Sequence, residues 1–313
     1  METFLKNPLF RVSLGDIYEI RKIHNLEKPG RMEQAVNILE SWILKQDHII
    51  KKDFSKVYLE LALISNKGSV EKAKKQIDRL CTMKALLPKF FLKTNVKMEL
   101  QDLMRIGKLV AMPTLTDDFY RIILVQISNT ELRNDSLMQY YQYITILAEY
   151  VKTHDYCNGI IMIYDCRQLD LFDLMTKLNT VELQQIITIL VEGYGARLKG
   201  IHMLTESKAI ELLINIVKQI VSEKISKRIY SQRSLEDLYK EIPKKLLPVD
   251  YGGKQRSVDD LHDDLVKELS SPEHIEYVKM MFKACTDESK RHAAKFNEEY
   301  MGMPGSFRCL SVD

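Results

Sequence analysis

The 313-residue chain is short of cysteine, of long uncharged runs and of net charge. Its five cysteines are odd in number, widely spaced and without a CxxC pair, which argues against a disulfide framework or a zinc site and favours a reducing cytosol. The longest uncharged run, residues 136–148, is well short of the roughly 18–20 apolar residues that a membrane-spanning helix needs. A net charge of +3 is too mild to imply nucleic-acid binding. With no apolar signal segment at the N-terminus, these absences predict a soluble cytoplasmic protein.

Motifs of the common enzyme classes are also missing. No GxGxxG follows a predicted strand and no GxxxxGK[ST] occurs, so a nucleotide-binding interpretation fails at the motif level. Serine, histidine and acidic residues are present, but never as GxSxG or HExxH. An enzyme is therefore unsupported, though not excluded, and we expect no catalytic residues, no metal and no cofactor.

Hydrophobic periodicity divides the chain into a helical part and an α/β part. Apolar residues recur at helical spacing through most of the first hundred residues, whereas short apolar runs alternate with amphipathic segments from residue 120 onward. Strand, helix, strand, helix, strand is the rhythm of a largely parallel sheet, so the predicted fold class is α/β. We predict three parts: a helical N-terminal domain (1–112), a sheet domain (113–256) and a helical C-terminal tail (257–313).

The middle of the chain carries a surplus of apolar and aromatic side chains. Such a surplus either fills a solid core or lines a lipid-sized cavity, and the pattern alone leaves both interpretations open. The apolar helix predicted over residues 210–221 has the same two interpretations, as ordinary packing or as a movable lid over an apolar ligand.

Two motifs reduce this ambiguity. Glu223-Lys-Ile-Ser-Lys-Arg-Ile229 and Leu246-Leu-Pro-Val-Asp-Tyr-Gly-Gly253 occur in the order and at the separation typical of the CRAL-TRIO lipid-transfer family. The chain most resembles the branch that contains tocopherol transfer protein and cellular retinaldehyde-binding protein. Residues 305–313 resemble the C-terminal tail of arthropod members.

The resemblance implies a helical N-terminal domain followed by a sheet flanked by helices, with an apolar pocket closed by a gate helix at about residues 207–221. It places the pocket floor on the strands, one wall on the helix before the third predicted strand, and a polar ligand contact on Tyr140 or Tyr143, whose buried hydroxyl needs a partner. The implied pocket residues are Tyr140, Tyr143, Ile144, Leu147, Ile160, Met162, Tyr164, Ile186, Ile189, Leu190, Tyr194, Ile201, Met203, Ile210, Leu213, Ile214 and Val217.

The resemblance also implies a basic patch that binds a phosphoinositide headgroup, formed by Arg197, Lys199, Lys224 and Arg228. Cationic side chains suit phosphate, and arginine adds bidentate geometry. The chain departs from the family at residues 63–67, where a basic Leu-Arg-Ala-Arg stretch is usual and one arginine of the patch is missing.

The resulting hypothesis is intracellular transfer of a small hydrophobic lipid between membranes, with reversible peripheral docking through the basic patch. A retinoid, tocopherol or carotenoid-like isoprenoid is the leading ligand class. The alternatives are a phosphatidylinositol transfer protein and a lipid-gated adaptor that binds a protein partner through the helical N-terminal domain.

Overall fold

The computed structural model describes residues 6–127 and 132–291. Its first part is helical, and the helix starts follow from serine caps. Ser55 Oγ accepts a hydrogen bond from the backbone N–H of Tyr58 (3.2 Å), and Ser69 Oγ accepts one from Lys72 (3.3 Å). The elements are α1 (Leu14–Ile23), α2 (Arg31–Leu44), α3 (Lys56–Ser65), α4 (Val70–Leu86), a 3₁₀ turn (Pro88–Phe91), α5 (Val96–Glu99) and α6 (Gln101–Ile106).

The second part is built on a mixed sheet, which within the described residues has five strands in the order β1-β2-β3-β4-β5. The strands are β1 (Gly107–Ala111), β2 (Tyr120–Ile127), β3 (Gly159–Asp165), β4 (Leu198–Leu204) and β5 (Ile229–Gln232). Strand β1 pairs with β2 antiparallel, and the other neighbours are parallel. The α/β class and the helical N-terminal part predicted from the sequence are thus confirmed.

Helices cover both faces of this sheet. They are α7 (Ser136–His154), α8 (Leu171–Lys177), α9 (Thr180–Thr188) with a π-helical turn (Ile189–Gly193), α10 (Ile210–Ile220), α11 (Glu223–Ser226), α12 (Leu235–Glu241), α13 (Val258–Leu269) and α14 (Pro272–Phe282). The amphipathic stretch of residues 171–193 forms more than one helix, because Asn179 caps a new helix by accepting from the N–H of Val181 at 3.0 Å. Part of the predicted C-terminal tail, including residues 305–313, lies outside the described residues.

The two faces of the sheet differ in what they touch. Ile122 and Leu124 of β2 point to a solid core that includes Leu238, Leu246 and Tyr251. The alternate residues of the same strand, Ile123 and Val125, point to the opposite face, where α7 packs. The alternation of side chains along a strand therefore places one face in the solid core and leaves the other for a site.

The Leu246–Gly253 motif packs against the face of the sheet that is covered by the solid core. The Tyr251 hydroxyl donates to Asp165 Oδ2 at 2.5 Å, and Tyr239 Oη donates to the Tyr251 carbonyl at 2.8 Å. A side chain at Gly253 would place its Cβ only 1.9 Å from the carbonyl oxygen of Leu247, so the tight turn requires glycine. This motif holds the carboxyl end of β3 and contributes no side chain to the opposite face.

Candidate functional site

An internal cavity of about 350 Å³ lies on the α7 face of the sheet. Its walls come from strands β2, β3 and β4, from α7, from the α9–π-turn segment and from α10. The lining is almost entirely aliphatic and aromatic. The volume falls within the roughly 300–1,000 Å³ range of ligand pockets. The many apolar residues in the middle of the chain therefore line a cavity as well as filling a solid core.

Most of the residues that the resemblance assigned to the pocket do line this cavity. Tyr140, Tyr143, Ile144, Leu147, Ile160, Met162, Tyr164, Leu190, Tyr194, Ile201, Met203, Leu213 and Val217 form its walls. Alternation along β3 explains the floor, because Ile160, Met162 and Tyr164 share one face while the residues between them face the solid core.

Four residues of the implied set do not line the cavity. Ile186 and Ile189 pack against a cluster that includes Phe90 of the 3₁₀ turn. Ile210 and Ile214 are buried instead beside Leu171 at the start of α8. An apolar stripe on a helix spans 100° or more, so one edge of it reaches the cavity while the other packs on a neighbouring helix.

The helical N-terminal part also contributes to the wall, which the sequence did not predict. Leu61, Ile64 and Ser65 of α3 line the cavity alongside the residues of the sheet domain. Their spacing predicts a buried helix face and nothing more, because what such a face covers depends on tertiary packing. The only signal available was the unusually apolar character of α3 itself.

The tyrosine hydroxyls on the cavity wall differ in whether they have a hydrogen-bond partner. Tyr140 Oη donates to Tyr164 Oη at 3.1 Å, so these two hydroxyls satisfy each other. The Tyr143 hydroxyl is buried and has no hydrogen-bond partner among the described residues. Burial raises the pKa of Tyr143, which keeps the hydroxyl protonated and able to donate. Leaving such a group unpaired costs about 1–3 kcal/mol, so Tyr143 is the wall residue best placed to take a polar ligand atom.

The cavity wall becomes polar where α7 ends. Lys152, Asp155, Asn158 and Arg197 all contribute to this part of the wall. Asp155 is held by Arg121, whose Nε and Nη2 donate to its two oxygens at 2.8 and 2.7 Å. Neither Arg121 nor Asp155 has an exposed side chain, so this is a fully buried ion pair.

A second buried ion pair lies behind the same wall. Lys84 of α4 donates to Glu149 Oε1 of α7 at 2.6 Å and to the carbonyl oxygen of Met281 in α14 at 2.7 Å. The hydroxyl of Tyr194 donates to the same Glu149 oxygen at 2.7 Å. Glu149 Oε2 is buried and has no hydrogen-bond partner within the described residues.

Several of the basic residues that the resemblance assigned to a patch lie close to one another near the polar end of the cavity. The positive charges of Arg197 and Lys224 lower the pKa of Lys67, with a smaller contribution from Arg228, so these side chains lie close together. Lys67 is exposed and belongs to the segment where the expected arginine is missing. A lysine of the helical N-terminal part thus lies near Arg197 and Lys224, although the arginine expected in this segment is missing.

The other members of the patch differ in their freedom to bind a ligand. Lys224 and Lys199 are exposed, and Lys199 Nζ lies 5.3 Å from the ring centre of Tyr120. Arg228 is committed in part, because its Nη1 donates to the carbonyl oxygen of Leu198.

Arg197 is held from the side of the helical domain. Its Nη1 donates to Asn158 Oδ1 at 2.8 Å and lies 3.0 Å from Nε2 of His24 in the turn after α1. Burial lowers the pKa of His24 to about 4, and the charge of Arg197 acts in the same direction. His24 Nε2 also lies 3.1 Å from Asn158 Oδ1, so His24, Asn158 and Arg197 form one polar cluster that joins the cavity rim to the N-terminal helices.

Comparisons with known proteins agree with this architecture. Residues 108–253 match the model of the CRAL/TRIO domain, and residues 28–100 match that of the Pinta-like UBA domain. Alpha-tocopherol transfer protein-like from Homo sapiens is 22% identical over 79% of this chain and 75% of its own length. Clavesin-2 from Rattus norvegicus is 30% identical over 31% of this chain and 29% of its own length. The crystal structure of Sfh5 superposes with a TM-score of 0.52 and 11% identity, covering 80% of this chain and 96% of that one, which shows a shared fold.

Residues 108–253 are thus similar to a CRAL/TRIO domain, and a helical region that is similar to a Pinta-like UBA domain precedes them. The chain is similar in sequence to alpha-tocopherol transfer protein-like and, over a shorter stretch, to clavesin-2. Among the described residues, no helix combines the length and the apolar character that crossing a bilayer requires.

Proposed function

We propose that the chain binds one small hydrophobic lipid in the cavity and carries it between membranes, without chemical turnover. The observation that carries this proposal is the apolar cavity enclosed by the sheet, α7 and α10. Burial of apolar ligand surface is favourable by about 25 cal/mol per Å², which gives a C20 isoprenoid several kcal/mol of affinity. In this proposal α10 is the gate, since Leu213 and Val217 close one side of the cavity.

The polar groups of the wall narrow the ligand class. One unpartnered hydroxyl, that of Tyr143, faces a lining that is otherwise aliphatic and aromatic. This arrangement suits a mostly apolar molecule with a single hydroxyl or carbonyl group, such as a retinoid, a tocopherol or a carotenoid-like isoprenoid. A phospholipid such as phosphatidylinositol is the alternative, favoured by the polar wall near Asn158 and Arg197.

The basic patch is proposed to dock the loaded protein reversibly on a cytoplasmic membrane surface that carries phosphoinositides. Positive charge is brought to one region by Lys67, Arg197, Lys199, Lys224 and Arg228. A bound phosphate would relieve the mutual repulsion that lowers the pKa of Lys67.

We further propose that the chain belongs to an arthropod-like branch of the family, because residues 305–313 resemble the C-terminal tails of arthropod members.

Aspartate at both Leu213 and Val217 is expected to reduce retention of the lipid by about a hundredfold or more. Two carboxylates on the cavity wall are either buried without partners or force α10 away from the sheet, and each of these costs several kcal/mol. The measurement is incubation with a total lipid extract, re-isolation, solvent extraction and mass spectrometry.

Leu212→Asp is the matched control, because Leu212 lies on the same helix and its side chain is 53% exposed. It is expected to retain the same lipid at the same stoichiometry as the unmodified protein. If the unmodified protein retains no lipid, the carrier proposal is wrong and a protein-binding adaptor becomes the better hypothesis.

Charge reversal at Lys67 and Lys224 together is expected to weaken binding to vesicles that contain a phosphoinositide by about thirtyfold or more. Each cation near an anionic surface contributes about 1 kcal/mol, and the effect is screened by salt. Vesicle co-sedimentation at 50 and 300 mM salt measures it, with reversal of the exposed Lys97 on α5 as the control. Equal loss of binding in both variants would contradict a localised patch.

A further inference from the structure

A lysine side chain lies on the wall of the apolar cavity. Lys152 is 5% exposed, near the end of α7, between the cavity and the helical domain. Within the described residues, its Nζ makes one hydrogen bond, to the carbonyl oxygen of Tyr194 at 3.2 Å, and lies 5.6 Å from the ring centre of Tyr58. An ammonium group carries three donors, so this surrounding is poor for the charged form.

The surroundings of Lys152 allow both the protonated and the neutral form of its amine near pH 7. Burial lowers the pKa of Lys152 from 10.5 to about 7, and the negative charge of Glu149 opposes the change. The positive charge of Lys84 is already paired with Glu149, and the aromatic hydroxyls nearby, on Tyr58 and Tyr194, are protonated because burial raises their pKa values. About half of the Lys152 amines are neutral at pH 7, compared with about 1 in 3,000 for a lysine of pKa 10.5. A neutral amine is a nucleophile, whereas an ammonium is not.

We propose that Lys152 captures an aldehyde-bearing lipid in the cavity as an imine. The neutral Nζ attacks the carbonyl carbon and forms a C–N bond, two protons pass to the carbonyl oxygen, and the C–O bond breaks with release of water. The reverse reaction with water frees the ligand, so no oxidant or reductant is consumed. The inference rests on the proposed function only in requiring that the cavity admits an apolar chain.

Glu149 is placed to stabilise the imine in its protonated form. It lies one helical turn before Lys152 on α7, and its Oε2 has no hydrogen-bond partner among the described residues. An iminium group carries the same charge as the ammonium it replaces but only one N–H donor, which matches the single acceptor that the wall supplies at Tyr194. The wall therefore suits an imine better than it suits a free ammonium group.

The lysine is also separate from the polar contact proposed at Tyr143. The two positions are nine residues apart along α7, about 13.5 Å of helix rise. The cavity thus offers a hydrogen-bond donor at one place and a nucleophile at another. An alcohol can use only the first, whereas an aldehyde can react at the second.

The test uses the full chain, all-trans-retinaldehyde as the probe and sodium cyanoborohydride to reduce the imine, followed by proteolysis and mass spectrometry. We expect one adduct per chain, on Lys152, formed at least a hundredfold faster than on the exposed Lys97. The rate at Lys152 should rise about tenfold per pH unit below pH 7 and level off above it, because the neutral fraction follows that titration. Surface lysines should continue to gain reactivity up to pH 8.5.

Lys152→Met is expected to abolish the adduct and Lys97→Met to leave it intact. Peptide mapping of the unmodified protein needs no variant, so the result stands even if Lys152→Met fails to fold. Retinol, which forms no imine, is titrated in parallel by fluorescence. Binding of both probes without an adduct on Lys152, or adducts spread over exposed lysines, overturns the inference and leaves the carrier function intact. If neither probe binds, the proposed function fails, and the inference fails with it.

Discussion

Replacement of Arg121 by methionine is expected to lower the free energy of unfolding by about 3–5 kcal/mol. Arg121 is fully buried, donates two hydrogen bonds to Asp155, and donates from Nη1 to the carbonyl oxygens of Met112 and Pro113 at 2.7 and 2.6 Å. Its guanidinium carbon also lies 4.4 Å from the ring centre of Phe10. The variant leaves the Asp155 carboxylate buried without its cation, and the penalty comes chiefly from that group.

Urea unfolding followed by circular dichroism measures this difference, with Arg133→Met as the matched control. Arg133 also pairs with an aspartate, Asp102, at 2.7 Å, but its side chain is 62% exposed. We expect that variant to lose less than about 1 kcal/mol, since exposed ion pairs contribute little. Equal losses in the two variants would show that Asp155 is not left uncompensated.

Replacement of Lys84 by methionine is expected to destabilise the protein by a similar amount, about 3–5 kcal/mol. Lys84 and Glu149 have 1% and 0% exposed side chains, so the remaining carboxylate has no access to water. The ion pair joins α4 to α7, and the Lys84 bond to Met281 adds α14. Loss of the lysine therefore weakens the contact between the helical domain, the cavity wall and the C-terminal helices at once.

A double-mutant cycle separates the pair from its context. Changing Glu149 to methionine as well removes the unpaired charge, so the double variant should recover most of the stability lost in Lys84→Met. Lys89→Met serves as the control, because Lys89 pairs with Glu182 at 2.9 Å with a 42% exposed side chain. A double variant as unstable as the sum of both single variants would argue that the two residues act independently.

The strands that the sequence revealed are those with long apolar runs. Apolar runs occupy residues 120–127 and 159–165, the observed bounds of β2 and β3, because central parallel strands are apolar on both faces. Strands β1 and β5 were not predicted. They are short edge strands of five and four residues, and β5 alternates too briefly to separate it from a loop. Edge strands depend on pairing with a neighbouring strand, and local periodicity does not reveal that pairing.

The cavity could be predicted only in part, for a related reason. Periodicity placed an apolar stripe on α10 but did not separate Leu213, which lines the cavity, from Ile214, which packs on α8. Lys67 lies near Arg197 and Lys224 only through tertiary packing, which no local pattern encodes. The sequence alone predicts an exposed lysine on a helix at position 152, and only the packing around Lys152 shows that it is buried.

The π-helical turn Ile189–Gly193 lies where the helical N-terminal part and the sheet part both contribute to the cavity wall. Leu190 lines the cavity, while Gly193 abuts Leu80 of α4, where an added Cβ would come within 3.1 Å of the leucine side chain. Leu61 and Ile64 of α3 complete the enclosure from the same side. The two segments that family models describe separately, residues 28–100 and 108–253, therefore build one container between them. Replacing either segment by the corresponding segment of a related protein would therefore also require replacing the cavity-wall residues that the two segments share.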